Sequence, residues 1–283
     1  MLQLRHQFSV PSIGAAFSQH ELRSEDLVIC SSLFAGGRFD QVRGLPAGQR
    51  RQWSKAVVLL EGHVYARGMV LRPGDVVISR DWDDYPMRAL DARTRYLLVS
   101  WRHGEAGDRA RSSGISRDLR TFGAAQALAT ELDAGHRASS LAALIGALSS
   151  LGVGIAPEAP WVGPSIDPRH HGVAHALVGA LFPLRGQPMV VDLSGALGLG
   201  ERQTQRLLAD YFQRYYVTAP SWRQFVYGMR LEVGVFLASS PGATSDIVAR
   251  ALGFASAAAL CHAFHRAGLP SPQAVRRALG PQR

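Results

Sequence analysis

Two segments of the chain, 191–199 and 246–254, repeat one residue pattern. In each, a small residue (Ser194 or Ala249) stands four positions before a glycine (Gly198 or Gly253), and a leucine directly precedes that glycine. A small side chain lets two helices approach closely, and glycine adopts a positive φ without the steric penalty of a Cβ. Two short helices that cross over a tight turn need both features. The pattern therefore predicts two helix-turn-helix units, built around these two segments.

A helix is expected after each turn, over residues 201–212 and 256–267, with Ser256 as the N-cap of the second. Between the two units, the stretch 221–238 carries apolar side chains at helical spacing. Such a helix is roughly 27 Å long at about 1.5 Å per residue. It could therefore hold two recognition helices near one turn of DNA apart, about 34 Å. The apolar stripe comprises Trp222, Phe225, Val226, Met229, Val233, Phe236 and Leu237.

From about Ile166 to Gly280 the chain resembles the DNA-binding domain of the AraC/XylS family of bacterial transcription regulators. The resemblance implies that residues 166–283 form a DNA-binding domain with two helix-turn-helix units. It also implies that the protein binds double-stranded DNA rather than catalysing a reaction, and that it contacts RNA polymerase if it is an activator. The matching residues are Gln205 and Arg206, the run 246–254, Phe264, the run 269–273, and Arg276 with Arg277.

Arg202, Gln205 and Arg206 occupy the positions that read bases in the first unit of the family. They stand at i, i+3 and i+4, so one face of a helix presents all three. Arginine can donate two hydrogen bonds to guanine O6 and N7, and glutamine can pair with adenine. The resemblance therefore implies that these three residues, with Gln203 beside them, contact DNA.

The second unit departs from the family's pattern, because alanines stand where polar or basic side chains are usual. An alanine side chain has no hydrogen-bond donor and offers only a methyl contact to thymine. We therefore expect this unit to contribute shape fit and phosphate contacts, and the first unit to carry most of the sequence specificity. The predicted DNA-facing residues here are Ala257, Ala258, His262 and Arg266, with Cys261 and His265 on the same helix.

The N-terminal half has the pattern of a β domain. From about Leu27 to Trp101, short apolar or β-branched runs alternate with turn signals such as Pro73-Gly74-Asp75, which predicts a β-sandwich or barrel. Together with Leu60-Glu61-Gly62, this spacing resembles the cupin-like sensor domain that precedes the DNA-binding domain in many members of the family. The resemblance implies an α+β protein in which residues 1–117 form a cupin-like domain that binds a small-molecule effector.

Between the two halves the composition changes to alanine and leucine. Leucines recur at helical spacing within residues 118–151, so we expect two helices there, broken near Gly135. These helices are a candidate dimerisation region that would pair two protomers in a homodimer. A stretch rich in proline and glycine follows, and residues 152–165 are therefore expected to be a linker.

The chain is basic, and the excess charge is denser in its C-terminal part. The formal net charge is +9, and from residue 166 onward 12 arginines stand against 6 acidic residues. This distribution is expected for a domain that meets phosphates. No apolar run approaches the roughly 18 residues that a membrane span needs. Residues 1–19 lack the pattern of a secretory signal peptide, so a cytoplasmic protein without a membrane partner is expected.

The titratable residues predict no metal site, no cofactor and no catalytic residue. Cys30 and Cys261 are far apart in the chain, which argues against a zinc finger or a disulfide scaffold. Glu61 and His63 have no third ligand at a suitable spacing, and neither a nucleophile elbow nor a phosphate-binding glycine loop occurs. A solvent-facing helix is expected for His170, His171 and His175, and a turn for Asp81, Asp83 and Asp84.

A second interpretation of the sequence remains open. The chain could be a cupin-like small-molecule-binding or enzymatic protein whose C-terminal half has become a structural or partner-binding module. The alanine-rich second recognition helix favours this alternative, since it lacks most of the donors that base recognition needs. DNA footprinting separates the two interpretations, because only a sequence-specific regulator protects a defined site.

Overall fold

The computed structural model describes residues 2–24, 26–40, 53–79, 87–102, 114–136, 138–155, 167–181, 189–214 and 221–279. Within these ranges the N-terminal part is an antiparallel β domain and the C-terminal part is helical, which confirms the α+β class. Most of the predicted linker and the predicted turn at Asp81, Asp83 and Asp84 lie outside the described residues. None of the described helices combines the length and the hydropathy that a bilayer crossing requires.

The described strands form two antiparallel sheets. The large sheet has seven strands in the order β1-β2-β3-β9-β4-β7-β10, and the small sheet has three in the order β6-β5-β8. The apolar runs 27–30, 56–60, 76–78 and 96–99, from which the sequence predicts strands, lie in β3, β4, β7 and β9. The strands are β1 Leu2–Val10, β2 Ala15–Arg23, β3 Leu27–Ala35, β4 Trp53–Glu61, β5 Val64–Ala66, β6 Met69–Leu71, β7 Asp75–Ser79, β8 Arg88–Ala89, β9 Arg93–Arg102 and β10 Gly114–Arg117.

The described residues form nine α-helices, and the first two are separated where the sequence predicts a break. Between these two, Gly135 adopts a φ of 70°, which stops the first helix because a residue with a Cβ rarely adopts this conformation. The helices are α1 Leu119–Asp133, α2 Leu141–Ser150, α3 Pro168–Leu181, α4 Val190–Leu197, α5 Glu201–Arg214, α6 Trp222–Ala238, α7 Ser245–Ala251, α8 Ala257–Arg266 and α9 Pro272–Leu279.

The centre of the large sheet is buried on both faces, as strand β4 shows. Successive side chains of a strand point to opposite faces. Ala56 and Val58 belong to the apolar cluster that α1 and α2 form with the sheet, whereas Val57 and Leu59 belong to the cluster between the large and the small sheet. Because both faces are apolar here, residues 56–60 of the strand form a continuous hydrophobic run rather than an alternating one.

The hairpin of β1 and β2 is absent from the sequence-based prediction, which begins the β region at about Leu27, so that boundary was wrong. Strand β1 alternates apolar and polar residues, and one face of the hairpin packs against the helical half. Phe8 and Phe17 lie on that face, and Phe34 of β3 continues it. The Phe236 ring of α6 contacts two of these rings edge-on, with a centroid distance of 6.1 Å to Phe8 and 5.3 Å to Phe34.

Polar contacts add to this apolar junction between the two halves. The backbone N–H of Arg38 donates to Ser239 Oγ at 2.6 Å, and Ser239 Oγ donates to the Arg38 carbonyl at 2.9 Å. The Arg38 guanidinium donates to the carbonyl of Leu279 in α9 at 2.9 Å. A Cβ on Gly37 would lie 2.7 Å from the Phe236 carbonyl oxygen. The helical half is therefore fitted closely against the edge of the β domain, at α6.

Candidate nucleic-acid interface

A tight turn joins α4 to α5 and depends on Gly198. This residue has a φ of 64° and caps α4. The N–H of Leu199 then donates back to the carbonyl of Ser194 at 3.1 Å. Ser194 is buried, and its Oγ donates to Thr204 Oγ1 of α5 at 3.1 Å. A larger residue at position 194 would fill the space in which the two helices meet, which explains the small side chain there.

The turn between α7 and α8 repeats this geometry in the second unit. Gly253 has a φ of 69°, and the N–H of Phe254 donates to the carbonyl of Ala249 at 2.8 Å. Ala249 is 1% exposed. The N-cap Ser256 accepts a hydrogen bond from the N–H of Ala259, as its predicted role requires. The connection from Gly253 to the start of α8 is slightly longer than the connection from Gly198 to the start of α5.

One face of α5 presents free hydrogen-bond donors. Arg202, Gln205 and Arg206 are exposed, and Gln203 is exposed beside them. Across the part of the chain that the structure describes, none of these side chains has a protein partner in a hydrogen bond or an ion pair. The opposite face packs against α3, α4 and α6 through the buried residues Thr204, Leu208, Tyr211 and Phe212. The fold therefore leaves this row of donors available to an external ligand.

The exposed face of α8 has few donors. When α5 and α8 are aligned on their first residues, Arg202 and Arg206 correspond to Ala258 and His262, both exposed. The buried positions correspond as well: the aligned pairs Thr204 with Leu260 and Leu208 with Phe264 are buried in both helices. The remaining predicted residues of this unit are placed as follows: Ala257 and Cys261 are half-buried, and His265 and Arg266 are exposed.

Helix α6 connects the two units and confirms the prediction for residues 221–238. Ser221 caps its N-terminus by accepting from the N–H of Gln224. Its first turns pack on the first unit through Trp222 and Val226. Further along, Tyr227 Oη donates to the carbonyl of Ala263 in α8 at 2.9 Å. Because both units are attached to one helix, that helix fixes their relative position.

A cleft of about 800 Å³ lies between α5, α6 and α8. Arg230 of α6 borders this cleft and is only 4% exposed, with its guanidinium carbon 4.2 Å from the centroid of the Phe254 ring. Its Nε donates to the carbonyl of Leu252 at 2.8 Å. Burial lowers the pKa of the guanidinium below its usual value. Sequence reasoning missed Arg230, although a charge beside Val226 and Val233 on an apolar helical stripe is a visible signal.

The histidines of α3 differ from the prediction in one respect. His170 is fully buried, not solvent-facing, because it points at α5, where its Nε2 lies 2.9 Å from a carboxylate oxygen of Asp210. His171 is half-buried and His175 is exposed. No group of three or more histidine, cysteine, aspartate or glutamate residues within the described ranges could hold a metal ion. Glu61 and His63 pair with different partners, Arg93 and Asp91 respectively.

Comparisons with known proteins give only slight similarities. No protein-family model matches the chain, and no curated protein matches it. The solved structures similar to it include the AraC-like transcriptional activator CuxR, at 12% identity, with 82% of this chain and 83% of that chain covered and a TM-score of 0.36. Unsaturated fatty acid bound ToxT from Vibrio cholerae strain SCE256 has 10% identity, 92% and 99% coverage and a TM-score of 0.38.

A third similar structure covers a smaller part of the chain. It is a Pseudomonas aeruginosa protein described as glyoxylate-induced, at 13% identity and a TM-score of 0.30, with 39% of this chain covered. The chain spans 44% of the length of that protein. Scores of this size assign neither a family nor a function.

Proposed function

We propose that this chain is a sequence-specific DNA-binding protein that regulates transcription. In this proposal, α4–α5 and α7–α8 are two helix-turn-helix units, and α5 and α8 enter successive stretches of the major groove. The observation that carries the proposal is the donor row of Arg202, Gln205 and Arg206. It is exposed and has no protein partner among the described residues, and it lies on the helix that follows a glycine turn.

The two units have different roles in this proposal. Helix α5 carries two arginines and a glutamine, the side chains best suited to guanine and adenine edges. Helix α8 offers Ala258 and His262 at the matching positions, so it contributes fit to the groove and phosphate contacts from His262 and Arg266. Sequence discrimination is therefore concentrated in the half of the DNA site that α5 contacts.

We also propose that the β domain senses a small molecule and that its contact with α6 transmits the signal. The junction of Phe8, Phe34 and Phe236 supports this route, since a shift of the β1–β2 hairpin would press on the Phe236 ring of the helix that holds both units. Pairing of two protomers through α1 and α2 stays a prediction. Apart from Leu119, which is exposed at the start of α1, their large apolar side chains pack on the protomer's own sheet. This leaves Leu119 and small exposed residues such as Ala142 and Gly146 for a partner.

The test is selection of a binding site from random duplex DNA by the full chain, followed by measurement of affinity by fluorescence anisotropy. The Arg206→Ala variant is expected to lose about 1–3 kcal/mol of binding free energy on the selected site and much less on random DNA. Arg120→Ala is the matched control, because Arg120 is an exposed arginine at the start of α1, in the other half of the molecule. This control is expected to keep the wild-type affinity.

Three results would count against the proposal. No enrichment of any sequence, in the presence or absence of cell extract containing small molecules, would remove the claim of specific binding. An equal loss for Arg206→Ala on selected and random DNA would mean that Arg206 contacts only phosphate. A comparable loss for Arg120→Ala would mean that net charge rather than the α5 face determines binding.

A further inference from the structure

The cleft between α5, α6 and α8 is positively charged. Arginines 223, 230 and 266 border it, and no aspartate or glutamate occurs among its described lining residues. Charged groups inside proteins are normally paired with an opposite charge. The cleft thus has the electrostatics of a site for an anion.

Arg230 is the residue that most requires such an anion. Its side chain is only 4% exposed, and its one hydrogen bond in the described structure goes to a neutral carbonyl, that of Leu252. Its Nη2 is buried and has no hydrogen-bond partner within the described ranges. A carboxylate in the cleft can accept a charge-assisted hydrogen bond from a guanidinium, and such bonds are stronger than those between neutral groups. A carboxylate from outside the chain would supply the charge and acceptors that the protein lacks here.

The walls of the cleft select the rest of the ligand. Phe212, Trp222, Tyr227 and Phe254 contribute aromatic surface from α5, α6 and the second turn. The volume of about 800 Å³ lies within the range of small-molecule sites, about 300–1,000 Å³. An apolar pocket with a few converging polar groups favours a ligand that has one polar end and a flat apolar body.

We propose that this cleft binds a small aromatic carboxylate, with the carboxylate on the Arg230 guanidinium and the ring among the aromatic walls. A phosphate of duplex DNA fits this site less well. A duplex is too wide to enter the cleft, and Arg230, which lines the cleft, is only 4% exposed to a phosphate outside it. A free small anion has no such restriction.

The site has a regulatory consequence that rests on the proposed function. Gln205 belongs to the exposed donor row of α5 and also borders the cleft. A bound ligand therefore occupies space beside a residue that is proposed to read bases. Ligand and DNA are expected to exclude each other, so the aromatic carboxylate would release the protein from DNA.

The first experiment measures binding to the full chain without DNA. Benzoate and 2-naphthoate are titrated by calorimetry, with benzamide and 2-naphthamide as neutral controls of nearly equal shape. One site per chain is expected, with the acids at least tenfold tighter than the amides. Equal binding of acids and amides, or no binding of either acid, would overturn the proposal.

Variants locate the site. Ala209→Trp fills the cleft from an exposed position on α5 and is expected to abolish binding. Ala278→Trp makes the same change at an exposed position on α9 that does not line the cleft, and is expected to bind like the wild type. Arg230→Gln should lower the affinity for the two acids by at least tenfold and leave the affinity for the two amides unchanged. If Arg230→Gln does not fold, the comparison of the two tryptophan variants still decides, and equal binding by both refutes the assignment.

The second experiment adds DNA and separates this proposal from the proposed function. With the selected DNA site, 2-naphthoate is expected to weaken DNA binding in proportion to its occupancy of the cleft, and Arg230→Gln is expected to shift that effect to at least tenfold higher naphthoate concentration. If the chain binds naphthoate but selects no DNA sequence, the proposed DNA-binding function is refuted and the proposed carboxylate site is supported. DNA selection without naphthoate binding would overturn the cleft site alone, and simultaneous binding of both would overturn their competition.

Discussion

Substituting alanine for two glycines of the same helix end tests the turn that places α5. Gly195 lies within α4, and an added Cβ there meets no atom within 4 Å. Gly198 caps the same helix, and an added Cβ also meets nothing, but its φ is 64°. Alanine in a helix interior is favoured over glycine by about 0.8–1 kcal/mol. An L-residue in the left-handed conformation costs roughly 1–2 kcal/mol.

The same chemical change is therefore expected to have opposite effects on the free energy of unfolding. Gly195→Ala should raise it by about 1 kcal/mol, and Gly198→Ala should lower it by roughly 1–2 kcal/mol. The loss of chain entropy in the unfolded state is nearly equal in both variants, so it cancels in the difference of about 2–3 kcal/mol. No steric clash contributes at either position, and the difference therefore reports the backbone conformation alone.

Urea denaturation followed by circular dichroism measures both values. Gly198→Asn is the internal control, since asparagine tolerates the left-handed conformation better than alanine and should recover part of the loss. Gly198→Ala should also weaken specific DNA binding, because α5 is oriented by this turn. Equal stabilisation by the two alanine variants would refute the reasoning, since it would mean that residue 198 is helical and that no turn separates α4 from α5.

Two further predictions concern the rest of the molecule. Phe236→Ala removes a side chain that is 2% exposed and joins the two halves. The free energy of unfolding is expected to fall by about 3–5 kcal/mol, and urea unfolding to split into two transitions. A single transition at the wild-type urea concentration would contradict the role of this junction. Hydrogen bonds from Thr121 lower the pKa of Asp118, the N-cap of α1. The stabilisation by this carboxylate is present above its unfolded pKa and is lost as pH falls through the lowered folded value. Asp118→Asn should thus be less acid-sensitive in thermal unfolding than the wild type, and identical pH profiles of the two would refute the assignment.

Helices and turns of the C-terminal half are largely readable from the sequence because their determinants are local. The apolar stripe predicts a helix over 221–238, and the helix is Trp222–Ala238 with Ser221 as its N-cap. The glycine turns are predicted by Gly198 and Gly253, whose requirement for positive φ depends on few neighbours. Whether Arg202 and its neighbours contact bases stays a prediction, since their exposure is a condition for that role and not a demonstration of it.

The parts that escape prediction depend on contacts between residues distant in the chain. The alternating pattern of β1 marks a strand with one buried face, but its partners are α3 and α6, which lie in the other half of the chain. The burial of His170 likewise depends on Asp210, a residue of another helix. A helical pattern can place such a histidine on a face, but only the packing of α3 on α5 decides whether that face meets solvent.

The two units, α4–α5 and α7–α8, show which positions the fold constrains and which positions are free to serve function. Gly198 and Gly253 have the same backbone conformation because both turns need it, so neither can vary freely. Buried positions keep their apolar or small character for a similar reason. The exposed positions Arg202 and Ala258 have no structural partner among the described residues and can differ without cost to either turn. Because the two units share their frame and differ at these exposed positions, any difference in DNA recognition between them must arise from what α5 and α8 present, rather than from how they are held.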